Sequence, residues 1–455
     1  MAGRGPERAG GGVRGSWSLL RRNPDFSRLY TAQLVSFAGD WFLTVALLGL
    51  VLELTGSPLL TSLVVVAHLV PFFLVSPVAG VLADRLDRRK LMIAADVTRA
   101  FVCLGFLRIR GPEDVWMVFV LQGVLAVLEA VFEPASGAAV PNVVDREDLA
   151  QANVLVGSAW GTMLAVGAAL GGLVSATLGR EVAYLFDSAT FVISAGLLLG
   201  IRRPFSEATD RDHPPMRQAV VETIHYAREE PRVFALLAVK GGFGLAGGVI
   251  LLLPVFATKV FHAGDAGIGV LMGARGLGAL IGPFLARRYI GGDERRLFTA
   301  IGASLGVFAL FYAFFPLMPS LWLAAPFAVG AHLGGGAQWT LSTYGLQTIV
   351  PDRIRGRVFA FDYMLVTASI ALSNLAAGVA ADRLDPRWVM ATMSGVAFVY
   401  ALVWRGLAAR ALDRVASRAA PTEEPREADP RPAADPRPEA PREAGRPAGR
   451  RRRRD

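Results

Sequence analysis

At 455 residues the chain is long enough for two or three soluble domains, yet 53% of it is hydrophobic and only 19% is charged. Soluble chains carry about 25% charged residues, and the mean hydropathy here is +0.43. Composition therefore excludes a set of soluble domains, and excludes a disordered chain, a collagen or a disulfide scaffold for the bulk of the sequence. It points to a polytopic membrane protein, since twelve spans of about 20 residues would fill over half of this length.

The formal charge is +9, but only three of the 47 basic residues are lysine (Lys90, Lys240 and Lys259). The arginines gather in tails and short loops, which is a topological pattern and not the mark of a nucleic-acid partner. The richness in Arg, Ala and Gly suggests a GC-rich bacterial genome. The single cysteine, Cys103, permits neither an internal disulfide nor a cysteine-rich metal centre. In its apolar run it reads as a small buried hydrophobe.

Residues 1–28 read as a basic, Gly-rich tail with no signal-peptide core. Six apolar segments follow: Tyr30–Leu52, Pro58–Ala83, Leu91–Leu107, Val115–Phe132, Ala152–Leu178 and Val182–Gly200. The stretch Ile201–Arg232 mixes arginines with acids and reads as a linker between two halves; within it Met216–Arg228 could form an amphipathic helix on the membrane surface. Six more segments are Val233–Phe256, Ala266–Tyr289, Leu297–Leu317, Leu321–Ile349, Val358–Ala380 and Trp388–Leu407. All are expected to be helices, because a backbone in lipid must satisfy its own hydrogen bonds. The expected units are thus 29–200 and 233–409, each a six-helix bundle, with a disordered charged tail over 410–455. The arginine run at its end could touch anionic lipid headgroups.

Alternate loops carry 18 Lys and Arg on one side against six on the other, and both tails join the richer side. The positive-inside rule then places both termini in the cytoplasm of a multi-pass protein of a bacterial inner membrane.

Four segment ends resemble one another. Segment 2 ends Gly80-Val-Leu-Ala-Asp84-Arg85-Leu-Asp87, and segment 11 ends Gly378-Val-Ala-Ala-Asp382-Arg383-Leu-Asp385. Weaker copies start at Gly172 in segment 5 and Gly282 in segment 8. Segments 2, 5, 8 and 11 are the second members of four groups of three, and alternate copies end on opposite sides. This is the trace of inverted three-helix repeats, an arrangement suited to alternating access. Glycines in segments 5 and 8 (Gly161, Gly167, Gly171, Gly172; Gly273, Gly276, Gly278, Gly282) would let helices approach closely.

These residues carry a resemblance. Gly80 to Lys90 is similar to the loop signature between the second and third helices of the major facilitator superfamily. Gly39-Asp40-Trp41, Phe132-Glu-Pro134 through Val144, Leu149-Ala-Gln-Ala-Asn153 and Pro351-Asp-Arg-Ile-Arg-Gly-Arg357 narrow it to the branch of macrolide-efflux and enterobactin-export proteins. The likeness runs from about Asn23 to Leu407. It implies the major facilitator fold: an all-α integral membrane protein of twelve transmembrane helices in two bundles. It also implies a gate in which Asp84 braces a neighbouring helix start near Arg357, with Gly80, Arg85, Arg88 and Arg89 completing the motif. The arginines would pair with acids or lipid phosphates. Asp87 departs from the family, which often has glycine there. Ala168 stands where the antiporter signature has proline, and segment 4 lacks the arginine of many proton-coupled exporters.

Ionisable residues inside apolar runs are costly and mark cavities, partners or proton paths. Asp40, Glu129, Asp187, Lys240 and Arg275 are the candidates for proton coupling or substrate contact. Asp40 leads, ten residues into segment 1 and near mid-depth. Asp96, Glu133 and Asp362 fall near the expected cytoplasmic ends of their segments and, with Arg99, read as gate or interface residues; Asp96 and Arg99 are spaced to pair on one helix face. Gln33, Gln122, Gln338, Trp339, Tyr344 and Asn374 could line a cavity for large amphipathic molecules. His68 and His332 read as packed core residues.

The sequence thus points to a secondary transporter that exports small drug-like or siderophore-like amphipathic molecules, with protons as coupling ions. A lipid or lysolipid mover and a non-transporting scaffold on the same fold stay open. No Walker loop, H-E-x-x-H or G-x-S-x-G motif is present, so neither an enzyme nor an ATP-driven pump is expected. No cofactor, metal or catalytic residue is expected. The partners are a small-molecule substrate and membrane lipid, and one chain suffices for a pathway.

Overall fold

The computed structural model describes residues 13–205, 224–290 and 293–419, apart from some helical side chains. Twelve long helices fill this span. The first bundle holds α1 (Pro24–Thr55), α2 (Pro58–Arg85), α3 (Arg88–Gly105), α4 (Val115–Val143), α5 (Leu149–Leu178) and α6 (Arg180–Leu199). The second holds α7 (Pro231–Val260), α8 (Gly264–Ile290), α9 (Glu294–Phe314), α10 (Leu321–Ile349), α11 (Asp352–Arg383) and α12 (Pro386–Ala419). No strand occurs among the described residues. The chain is a multi-pass membrane protein.

Local chemistry sets the helix starts. Asn23 caps α1 by accepting from the Phe26 N–H at 3.0 Å, with Pro24 in the first turn. Ser57 caps α2 and Asp293 caps α9 in the same way. Asp87 accepts from the N–H groups of Arg89 and Lys90 at the start of α3. The departure from the family's glycine at 87 therefore has a local reason.

Several boundaries differ from the sequence reading. Residues 1–28 are not wholly a tail: Val13–Arg22 is a helix whose Leu19 is fully buried against the first bundle. Its many arginines hide this in a hydropathy profile. α12 continues ten residues past the bundle limit of 409, to Ala419. α7 is interrupted at Ala246–Gly247 and ends in a wider turn over Phe256–Val260. In the linker, residues 206–223 and most of the proposed surface helix lie outside the described residues; 224–229 are helical. The tail beyond 419 also lies outside them.

Ten segments are long and apolar enough to cross a membrane by length and composition alone, among the described residues. α3 and α10 are not among them. α3 packs Arg88, Arg89, Lys90, Asp96 and Arg99 into 18 residues, and α10 is rich in glycine and polar groups. Both are held by protein contacts, α3 on α4 and α6, and α10 on α8 and α9.

The bundles meet along two seams, α5 against α8 and α2 against α11. These are the helices that carry the repeat. A Cβ on Gly172 of α5 would fall 2.4 Å from the Cα of Gly269 of α8, so the backbones touch there without intervening side chains. The described chain enters α1 and, after twelve helices, leaves α12 at one end of the molecule, the near end. The opposite, far end carries the loops after α1, α3, α5, α7, α9 and α11.

Candidate functional site

Each residue of Gly39-Asp40-Trp41 serves a different contact. A side chain on Gly39 would strike the Asp187 carboxylate at 2.3 Å and the Thr190 hydroxyl at 2.2 Å. Glycine there lets α1 lie against α6. Asp40 then reaches α3, where its carboxylate accepts from Arg99 at 3.2 Å. Trp41 meets Trp160 of α5 edge-on, ring centres 6.0 Å apart, and faces the second bundle through Arg275 of α8, whose guanidinium is 6.0 Å from its ring.

Arg99 is the hub. It also pairs with Asp96 at 3.5 Å one turn away, and its guanidinium lies 4.0 Å above the Phe191 ring. The Ser194 hydroxyl donates to Asp96 at 2.6 Å. Glu129 and Asp187 act on Arg99 electrostatically from α4 and α6, and Glu133 joins them. Several carboxylates therefore share one buried guanidinium. Arg99 and Asp96 are 2% and 0% exposed, whereas Asp40 and Glu129 are 29% and 21% exposed. The cluster thus has a dry interior and an accessible rim.

Asp187 accepts from the Cys103 thiol at 3.1 Å and from Thr190 at 3.3 Å. Cys103 is buried, and it donates to a carboxylate as well as packing. His68 of α2 lies 3.5 Å from Glu129 and 3.4 Å from Gln122. It is half-buried on the rim and not a packed core residue, a contact the sequence gave no sign of.

In the second bundle Lys240 of α7 pairs with Asp362 of α11, donates to Thr343 at 3.0 Å and sits over the Trp339 ring. Asp96, Arg99 and Asp362, read from sequence as gate or interface groups, thus find their partners inside their own bundles. The predicted cavity set divides. Gln33 donates to Ser136 within the first bundle, and Asn374 bonds its own helix at Ile370. Gln338 is fully buried. Gln122 is buried beside His68, Trp339 is half-buried, and Tyr344 is exposed. Arg275 of α8 is half-buried beside Trp41, at 6.0 Å from the ring. His332 bonds Tyr312 at 3.0 Å in the core of the second bundle.

At the near end, Gly80 lies within the helical backbone of α2, and the side chains of Asp84 and Arg85 lie outside the described residues. Arg88 donates to the carbonyls of Ala138 and Phe205, and Arg89 to that of Leu198. Arg89 thereby places positive charge at the C-terminus of α6. These donations go to backbone carbonyls of α4, of the end of α6 and of the segment that follows α6.

The far end shows contacts that sequence reading missed. Arg180, which opens α6, grips Asp265 of α8 through Nε at 2.7 Å and Nη2 at 2.9 Å, and holds Glu53 of α1 at 2.7 Å. Asp382 of α11 accepts from the Ser57 hydroxyl at 3.0 Å and the Leu59 N–H at 3.3 Å, on the first turn of α2. Lys259 donates to the Gly56 carbonyl at 2.5 Å. All three contacts join the two bundles. A cleft of about 600 Å³ beside them is lined by Leu50, Phe106, Arg180, Tyr184 and Asp265; it belongs to this seam and not to the charged interior.

Comparison with known proteins agrees with this architecture. The family model described as transmembrane secretion effector matches residues 14–429. The enterobactin exporter EntS of Citrobacter koseri is 28% identical over 375 residues, covering 76% of this chain and 83% of that exporter. Macrolide efflux protein A of Streptococcus pyogenes is 24% identical over 374 residues, covering 79% and 90%. A bacterial homologue of the human lysosomal transporter Spinster, in an inward-facing and occupied conformation, matches with a TM-score of 0.68 at 15% identity, over 86% of this chain and 98% of that one. That last likeness speaks for the fold alone. With twelve helices in two bundles, inverted repeats at the seams and a family match over nearly its whole length, the chain belongs to the transmembrane secretion effector family of major facilitator transporters.

Proposed function

We propose that this protein is a proton-coupled exporter of small amphipathic molecules, working by alternating access in a bacterial inner membrane with both termini in the cytoplasm. The observation that carries the reading is the shared guanidinium of Arg99 among Asp40, Asp96, Asp187 and Glu129. A set of carboxylates with too few cations inside a membrane bundle is a place to hold protons. Asp40, on the accessible rim, exchanges them. Proton arrival on Asp40 removes its charge and its pairing, and Arg99 then keeps its ion pair with Asp96 while Asp187 and Glu129 act on it from α6 and α4. The change alters how α1 sits between α6 and the second bundle, because Gly39 and Trp41 flank Asp40 on those two sides.

The far-end contacts fit the closed half of such a cycle. Asp382 occupies the place in the inverted repeat that Asp84 occupies at the near end. In the alternate state Asp84 would cap the start of α11 as Asp382 caps that of α2 here. Export as the direction rests on the exporter names of relatives such as EntS and macrolide efflux protein A.

The test is transport into proteoliposomes by the protein inserted inside-out. The purified protein in proteoliposomes, acid inside, is expected to accumulate at least one compound from a panel of macrolides, catecholate siderophores and lysolipids, with matching proton release. Accumulation that ignores the pH gradient would sink proton coupling. Lysolipid flipping without gradient dependence would favour a lipid mover.

A further inference from the structure

We propose that Arg275 is an anchor for an anionic group of the substrate, so that the transported class consists of aromatic amphipathic molecules bearing a carboxylate or a comparable anion. This rests on the transporter reading above and specifies its substrate.

Arg275 lies eleven residues into α8, at mid-span, on a helix that forms one of the two seams. Positive-inside topology needs no arginine at that depth. The other interior cations each have an acid: Arg99 has Asp40 and Asp96, Lys240 has Asp362, and Arg180 has Asp265 and Glu53. Among the described residues Arg275 has none. Its polar contact is from Nη1 to the Met272 sulfur at 3.9 Å, and its Nε is buried without any partner. The titratable groups facing it from α9 and α10 are Tyr312 and His332, which bond each other and supply no negative charge. Asp40, adjacent in sequence to Trp41, is held by Arg99.

A guanidinium in a membrane interior is expected to be paired, or to mark a ligand path. Arg275 is half-buried, so it keeps an open side. The surface it meets across the seam is aromatic: Trp41, with Trp160 edge-on behind it and 48% exposed. A planar cation beside two indoles suits a ligand with an aromatic body and an anionic group. The planar fork of arginine binds a carboxylate through two parallel hydrogen bonds.

A matched pair of probes tests this: N-dansyl-phenylalanine and its methyl ester, which differ in the carboxylate. Binding to purified protein is read by energy transfer from tryptophan to dansyl. The wild type is expected to bind the acid about tenfold more tightly than the ester, as one charged hydrogen-bonding contact allows. Arg275→Met should bring the acid down to the level of the ester and leave the ester unchanged, and Arg275→Lys should keep part of the preference. Unchanged ester binding and an unchanged melting temperature show that the variant is folded. Equal binding of acid and ester by the wild type, equal weakening of both by Arg275→Met, or binding of neither would overturn the anchor. Gradient-driven flux of the compound panel is measured on the same preparations. If flux persists without an acid preference, only the anchor fails; if flux is absent for every compound, the transporter reading fails first.

Discussion

A disulfide between Ser62→Cys on α2 and Gly378→Cys on α11 is expected to stop transport, and reduction to restore it. A Cβ at position 378 would stand 3.0 Å from the Ser62 Cβ. Disulfides need about 3.5–4.5 Å between these atoms, and a Cβ at 378 would also stand 2.9 Å from the Leu59 Cα, so the two helices must part by about half an ångström for the bond to form. The pair sits within the far-end seam that Asp382, Arg180 and Lys259 also bridge. Alternating access requires this seam to part. The native Cys103 is buried on α3 and does not compete. Gradient-driven accumulation should fall at least about tenfold on oxidation, in step with the population cross-linked, and recover with reductant; each single variant serves as its control. Undiminished flux in fully cross-linked protein would mean that the two bundles do not separate here.

Arg99→Gln carries the second large effect. The change leaves Asp96 fully buried and removes the partner of Asp40. Breaking a buried pair by taking away one member costs about 3–5 kcal/mol, because the other charge is left uncompensated. It also removes the stacking on Phe191. The unfolding midpoint should drop clearly, and transport should be lost. Adding Asp96→Asn should recover much of the stability, since the stranded charge is then gone, while transport should stay absent. Stability losses that simply add in the double variant would show that the two residues are not coupled. The same cluster would then be structural packing and not a charge-balanced unit.

How much of this was legible in the sequence follows from what each feature depends on. The twelve segments and their inverted repeat rest on local hydropathy and on short motifs, and both can be read along one chain. Even α3 and α10, which do not count among the ten segments that are plainly long and apolar enough to cross a membrane, are visible along the chain as the apolar runs Leu91–Leu107 and Leu321–Ile349. Asp40 was legible as an isolated carboxylate at mid-depth. Its partner was not. Arg99 looked like a residue paired within its own helix, and only the packing of α1 and α3 on α6 brings it to Asp40. His68 and Glu129 meet for the same tertiary reason.

The far-end seam was half legible. The copy of the loop motif at Gly378–Asp385 is plain in the sequence, but its contact with α2 depends on how the bundles lean together. Arg180 looked like a lone loop charge, and Asp265 fell just outside the apolar segment. The helix at Val13–Arg22 was missed because its buried side is short, with Leu19 set among arginines. The break in α7 had a sign that went unused, the Gly-Gly pairs at 241–242 and 247–248.

The most direct test of the central claim compares exchange with accumulation in Asp40→Asn. Proteoliposomes holding the purified variant are loaded with a transported compound, and labelled compound is followed across the membrane with and without a pH gradient. The account predicts that exchange of labelled for unlabelled compound continues within about twofold of the wild type, since a neutral amide mimics the protonated carboxylate in shape. It predicts that gradient-driven accumulation disappears. Accumulation that persists in Asp40→Asn at the wild-type level would contradict the assignment of proton coupling to the Asp40–Arg99 cluster.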